Sequence, residues 1–252
     1  MEANLASHAG HLHFQVPNAR VLDGADVYLA DSGLHDDTFN IICRARFSDR
    51  DVDARVAAVV GEVRALQRPF SWWVAPTSAP DDLPIVLRAH GLVEAETEEA
   101  MVATLTEVPP APHRGDLVVV AVESAEQLRD YASLVARNWD PPSAAVVDFF
   151  AHTAPAILAP TCASRFVVGY RSGEPVAGAE IHVHAGVAGL YGIVTLEEHR
   201  RQGLATAVTL AALELVRAEG VTHAVLQAST DGAPVYERIG FTSVGTYTEF
   251  AL

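Results

Sequence analysis

The chain has 252 residues, half of them apolar, with a mean hydropathy of +0.18, which suits two domains of about 110–140 residues, each with its own core. Its 32 acidic side chains against 17 basic ones leave a formal charge of −15, a surface that repels phosphate backbones and anionic lipid and argues against nucleic-acid or membrane binding as the main task. Every basic residue is arginine, which excludes Schiff-base chemistry, a Walker A loop and a catalytic lysine. Cys43 and Cys162 cannot make a disulfide framework and read as buried thiols. The start lacks the order of a signal peptide and no span of about 18 residues is free of charges and turn formers, so a cytoplasmic protein is expected.

In chain order, Phe39–Ala45 reads as a strand, Val52–Leu66 as an amphipathic helix and Phe70–Ala75 as an aromatic strand whose Trp72 and Trp73 face opposite ways. Asp82–Ala89 is a short helix closed by Gly91; the acidic run Glu94–Glu99 reads as a solvated turn, and Ala100–Thr106 as a strand. Thr106–Asp116 holds three prolines and no periodicity, the composition of a linker. The expected division is a first domain at 1–108, a linker at 109–116 and a second domain at 117–252.

Beyond the linker, Leu117–Val122 is an apolar strand and Ala125–Asn138 carries a helical stripe through Leu128, Tyr131, Leu134 and Val135. A second helix is expected to open at Asp140, Pro141 and Pro142. Arg165–Tyr170, Val176–His184 and Gly189–Thr195 read as strands, Gly203–Glu219 as a helix stopped by Gly220. Strand His223–Ser229, helix Pro234–Ile239 and a strand from Phe241 complete the half. The order repeats that of the first half, with Ser78, Val86 and Gly91 set against Ser229, Val235 and Gly240.

The informative segment is Leu190–Thr206, where a buried strand runs into a turn that delivers Arg200, Arg201, Gln202, Gly203, Leu204 and Ala205 to a helix N-terminus. The first turn of a helix has unpaired N–H groups and partial positive charge. Gly203 lets phosphate oxygens approach the backbone, Ala205 is small, and Thr206 adds a hydroxyl. An ordinary helix start with surface arginines is the plain alternative.

Arg200, Gly203 and Ala205 after the Val194–Thr195 strand end, with Tyr236, Gly240 and Phe241 downstream, resemble the signature of the GNAT acyltransferase superfamily from Leu117 onward. The resemblance implies an α/β (α+β) fold of two GNAT-like domains in tandem, each a mixed, mainly antiparallel sheet flanked by helices. It implies acetyl-CoA as co-substrate, with Ile193, Val194 and Thr195 on the pantetheine and Arg200 to Thr206 on the phosphates. Tyr236 matches the tyrosine that protonates the departing thiolate; packing of that ring on the sheet is its other reading. Ser229, Thr230 and Asp231 stand where many members carry an asparagine. Ser229 is then a pantetheine contact, and Asp231 a helix cap.

The first half lacks these parts. Ser48–Asp53 has no glycine and three acids, which would repel a pyrophosphate, and Leu87 stands where Tyr236 should recur. It resembles a degenerate GNAT-like domain.

Acyl transfer to an amine needs a proton acceptor. Glu180, His182 and His184 alternate on one strand face; Glu180 or His182 can serve as base, and a merely exposed polar face is the competing reading. Trp139 and Asp140 are expected at the acceptor, with His184 and Tyr191 lining the pocket, Tyr191 being equally a core aromatic. His8, His11 and His13 lack a Cys or carboxylate partner, so no metal is expected. The activity expected is acetyl transfer to a small-molecule amine by direct attack in a ternary complex. The alternatives are another acyl-CoA, an acyl-carrier-protein thioester, or a non-catalytic acyl-CoA sensor or scaffold. The oligomeric state is left open.

Overall fold

The computed structural model describes residues 1–252. Contacts divide them into two compact units, Glu2–Ala100 with Gly245–Leu252, and Met101–Val244. No helix is long and apolar enough to cross a membrane.

The first unit runs α1 (Glu2–Gly10), β1 (Arg20–Asp23), β2 (Tyr28–Asp31), β3 (Ile41–Cys43), α2 (Val52–Arg64), β4 (Ser71–Val74), α3 (Leu83–Ala89) and the start of β5 (Val93–Thr104). β1, β2 and β3 pair antiparallel. β3 and β4 pair parallel, which requires a crossover that α2 supplies. The Val52, Val56, Val59, Val60 and Val63 stripe of α2 is buried and joins Ile42, Phe70 and Trp72 in one core; Trp73 is half-buried. α1, β1 and β2 have no counterpart in the sequence reading.

The acidic run Glu94–Glu99 is a strand, not a turn: it lies in the first half of β5, which is exposed through Thr97, half-buried at Glu98 and Glu99, and buried from Ala100. Burial, with Glu96 and Glu249 nearby, pushes the Glu98 carboxyl up to about 7. The unfolded chain therefore releases this proton first, and the stability Glu98 contributes is present below about pH 4.5 and lost as pH rises through 7. Glu98→Gln is expected to stabilise the protein by about 1–3 kcal/mol at pH 8 and not at pH 4, by denaturant titration at both pH values.

The second unit contains β6 (Val118–Ala121), α4 (Ala125–Ala136), α5 (Ala144–Ile157), β7 (Ser164–Arg171), β8 (Glu174–His184), β9 (Val187–Thr195), α6 (Leu204–Ala218), β10 (His223–Ala228), α7 (Ala233–Glu237) and the start of β11 (Thr242–Ala251). β6 to β9 pair antiparallel in sequence order. β9 and β10 pair parallel, with α6 as the crossover. The order β9-α6-β10-α7-β11 repeats β3-α2-β4-α3-β5. In each unit the strands pair in a mixed, mainly antiparallel pattern and are flanked by helices, the α/β (α+β) class expected.

Ser124 and Gln127 form a capping box on α4. Ser143 caps α5, so Pro141 and Pro142 precede that helix instead of occupying its first turn. The proline-rich segment 106–116 lies in the second unit, tied along α6 by Arg217 to the Val108 carbonyl and by the Ala111 N–H to Glu214. At the other end of the chain, Thr248–Ala251 pairs antiparallel with Ser71–Val74, and Phe250 is buried in the first unit's core.

Candidate functional site

The site begins as a fork between two strands of the second unit. β9 pairs with β10 only over Val187–Gly189 and His223–Val225. Past Gly189 and Val225 the two strands carry no further rungs, so the edge of β9 from Leu190 to Thr195 has no β10 partner. On its other side β9 stays on β8, with Gly178 opposite Val194 and Glu180 opposite Tyr191. Gly192 and Ile193 therefore both stand against Ala179, a bulge of one residue in β9 that increases the local twist. Gly192 takes a φ of 51° there. Thr195 Oγ1 is buried without a hydrogen-bond partner, as is Gln227 Nε2 on β10 beyond its last rung with β9. Two orphaned polar groups on the arms of the fork fit a ligand that supplies their partners.

β9 leads to the turn before α6. Arg200 is extended, Arg201 takes a φ of 58° and Gly203, the N-cap, a φ of 76°. Gly203 is left-handed and the helix that follows it right-handed, and neighbouring residues of opposite hand turn successive N–H groups to one side, as in an anion nest. Leu204, Ala205 and Thr206 follow as the first helical residues, with N–H groups that have no acceptor within the helix. Arg200 Nε donates to the Thr195 carbonyl at 3.2 Å and ties turn to strand. Arg171 donates to Gln202 Oε1 and to Asp116. A Cβ at Gly203 would stand 3.3 Å from Arg114 Nη1. Arg114, from the proline-rich segment, and Arg171, from the end of β7, thus add guanidinium charge beside Arg200 and Arg201 in an acidic protein. Neither was named from sequence, because each is separated from the turn by at least 29 residues.

At the end of β10, Ser229 Oγ accepts the Gly232 N–H at 3.2 Å, so its acceptor capacity is partly used in holding the turn. Gly232 is the N-cap of α7, and Asp231 makes no capping bond; the expected Asp231 cap is corrected, the Ser229 turn having taken its place. Tyr236 is buried, its ring edge-on to Phe241 at 6.0 Å.

Glu180 and His182 are 6% and 0% exposed, so they do not form an exposed polar face; His184, at the strand end, is exposed. Ser164, on β7, donates to Glu180 Oε1 at 2.8 Å and lies 3.0 Å from His182 Nδ1. A serine between a carboxylate and an imidazole is a path along which a proton can pass. A cleft of about 390 Å³ is lined by Trp139, Asp140, Val194, Thr195, Glu197 and Arg200, among others. It brings the expected acceptor residues Trp139 and Asp140 to the strand and turn assigned to the cofactor. Glu180, His182, His184 and half-buried Tyr191 do not line it.

The first unit closes the equivalent fork. The Ala79 N–H donates to the Ala45 carbonyl at 3.1 Å and the Phe47 N–H to the Ala79 carbonyl at 2.9 Å, lacing the continuations of β3 and β4 together. Ser48 is engaged by Asp51 and Asp53 by His90, and Leu87 is fully buried.

Residues 134–241 match the acetyltransferase (GNAT) family. Among solved structures, a GCN5-related N-acetyltransferase from Kribbella flavida superposes with a TM-score of 0.74 at 19% identity, covering 100% of this chain and 95% of that one. A GCN5-related N-acetyltransferase from Sphaerobacter thermophilus gives 0.65 at 15% identity, covering 92% and 82%. A tandem GNAT protein from the clavulanic acid biosynthesis pathway gives 0.63 at 16% identity, covering 99% and 91%. At these identities the likeness is one of fold. No curated protein matches.

Proposed function

From the acetyltransferase (GNAT) family domain that the chain carries at residues 134–241, we propose that the protein transfers an acetyl group from acetyl-CoA to the amine of a small molecule. The observation that carries this reading is the continuous track formed by the open β9 edge, the turn with left-handed Arg201 and Gly203, and the start of α6. Ile193, Val194 and Thr195 would hold pantetheine, Ser229 would add one contact, and Arg200 to Thr206, with Gly203 at the centre, would hold the phosphates. When bound, the thioester supplies an activated acyl carbon.

Glu180 is the base of this reading, taking the amine proton directly or through Ser164 and His182 as the nitrogen–carbon bond forms. Tyr236 gives its phenolic proton to sulfur as the carbon–sulfur bond breaks. Trp139 and Asp140 orient the acceptor at the cleft, with His184 and Tyr191 beyond it, and much of the acceleration comes from proximity. Neither cysteine falls in the fork, the turn or the cleft, which supports direct attack over a covalent enzyme intermediate. No metal has a role in this scheme.

Calorimetry with acetyl-CoA is expected to give one site per chain, and thiol release with a panel of small amines to give turnover. Gly203→Asp places a carboxylate in the nest and is expected to weaken acetyl-CoA binding at least about tenfold; unchanged affinity would overturn the assignment of the turn. A second reading, transfer involving an acyl carrier protein, draws support from the local arginines Arg114, Arg171, Arg200 and Arg201 in an otherwise acidic chain. Turnover with a carrier-bound thioester in place of acetyl-CoA would favour it.

A further inference from the structure

Tyr131 is a buried tyrosine on α4 that the scheme above does not use. Its ring is fixed edge-on against Phe150 at 5.4 Å and Phe166 at 5.0 Å. Two glycines on neighbouring strands make room for it: a Cβ at Gly178 would lie 2.8 Å from its Cδ2, and a Cβ at Gly192 would lie 2.2 Å from its hydroxyl. That hydroxyl donates to the Gly192 carbonyl at 3.1 Å. Gly192 is the left-handed residue of the β9 bulge. Burial, with Glu180 nearby, holds the phenol far above its ordinary pKa, so it stays protonated and keeps its proton for the carbonyl.

A bulge leaves one residue's backbone groups outside the ladder, and Gly192, the exposed residue of this one, has its carbonyl met by a buried phenol. The phenol comes from another element, α4, and fixes the peptide within the bulge, three residues past the last rung that β9 shares with β10. The two peptides that follow, Ile193 and Val194, inherit its direction. We infer that Tyr131 is the positioning residue of the cofactor strand, a clamp that sets the β9 bulge and so aims the open edge of Ile193–Thr195 at its ligand. The inference rests on reading that edge as the pantetheine contact.

Three variants test it, with three readouts. In Tyr131→Phe the packing remains and the clamp is lost. Amide hydrogen exchange over 191–195 in the free protein is expected to accelerate while that over 187–189 does not. The acetyl-CoA Kd is expected to rise about threefold to tenfold with the acceptor KM unchanged. Gly192→Ala drives a methyl into the hydroxyl and is expected to abolish binding. Adding Tyr131→Phe to Gly192→Ala removes the offending atom, and the next one, Cζ, lies at 3.5 Å; binding is then expected to recover in part. Unaltered exchange and affinity in Tyr131→Phe would overturn the clamp, as would a double variant no better than Gly192→Ala alone. If the unmodified protein binds no acyl-CoA, the cofactor reading fails by itself, and the exchange of 191–195 still decides whether Tyr131 holds the bulge.

Discussion

Tyr236→Phe is expected to lower kcat about a hundredfold or more while leaving acetyl-CoA affinity nearly unchanged. The general-acid step contributes on this scale in enzymes that protonate a leaving group. The ring is buried and packs edge-on against Phe241, so phenylalanine keeps the apolar contact and removes only the proton donor. The comparison of interest is therefore kcat against Kd, measured by thiol release and calorimetry on the same preparation. A fall in both together would assign Tyr236 to packing. A variant with full turnover at every pH would show that the departing sulfur takes its proton from elsewhere.

Glu180→Gln is expected to cost about 10²–10³ in kcat/KM for the acceptor, again the range of general base catalysis. Glutamine can still accept the Ser164 hydroxyl, so the Ser164–His182 contact is preserved and the substitution isolates the loss of basicity. The deficit should shrink as pH approaches the acceptor's own pKa, because the amine then arrives without its proton. A variant that retains the original rate at pH 7 would remove Glu180 from the mechanism, and parallel measurements on His182→Gln would show whether the imidazole is the acceptor. This pair of substitutions also separates a proton path from a buried polar cluster that merely supports the sheet, since only the former changes the shape of the pH profile.

The parts of the site legible in the sequence are those whose chemistry is contiguous. The strand–turn–helix geometry of Arg200 to Thr206 could be read because a strand end, a glycine and a helix start follow one another within a single turn. The paired order of the halves was legible for the same reason, as strand, helix and strand succeed one another with local periodicity. What could not be read depends on contacts between distant residues. Tyr131 has the spacing of a core residue on α4, and nothing local marks the hydroxyl that reaches Gly192, 61 positions away. Ser164 is an ordinary strand serine until β7 is laid against β8 and brings it between Glu180 and His182. Glu94–Glu99 misled because charge outweighed alternation: a strand end exposed on both faces, as Val93–Thr97 is, tolerates carboxylates as readily as a turn does. Asp231 was a sound candidate for a cap by residue type, yet the Ser229 hydroxyl reaches the backbone first.

The last residues of the chain carry a consequence for its birth. Thr248–Ala251 completes the sheet of the first unit beside Ser71–Val74, with Leu252 and Phe70 exchanging backbone hydrogen bonds. During synthesis, then, β4 emerges from the ribosome with one flank bare and remains so until some 170 further residues have been made, an open edge of the kind that invites association with other chains. The first unit therefore waits for a strand encoded on the far side of the second.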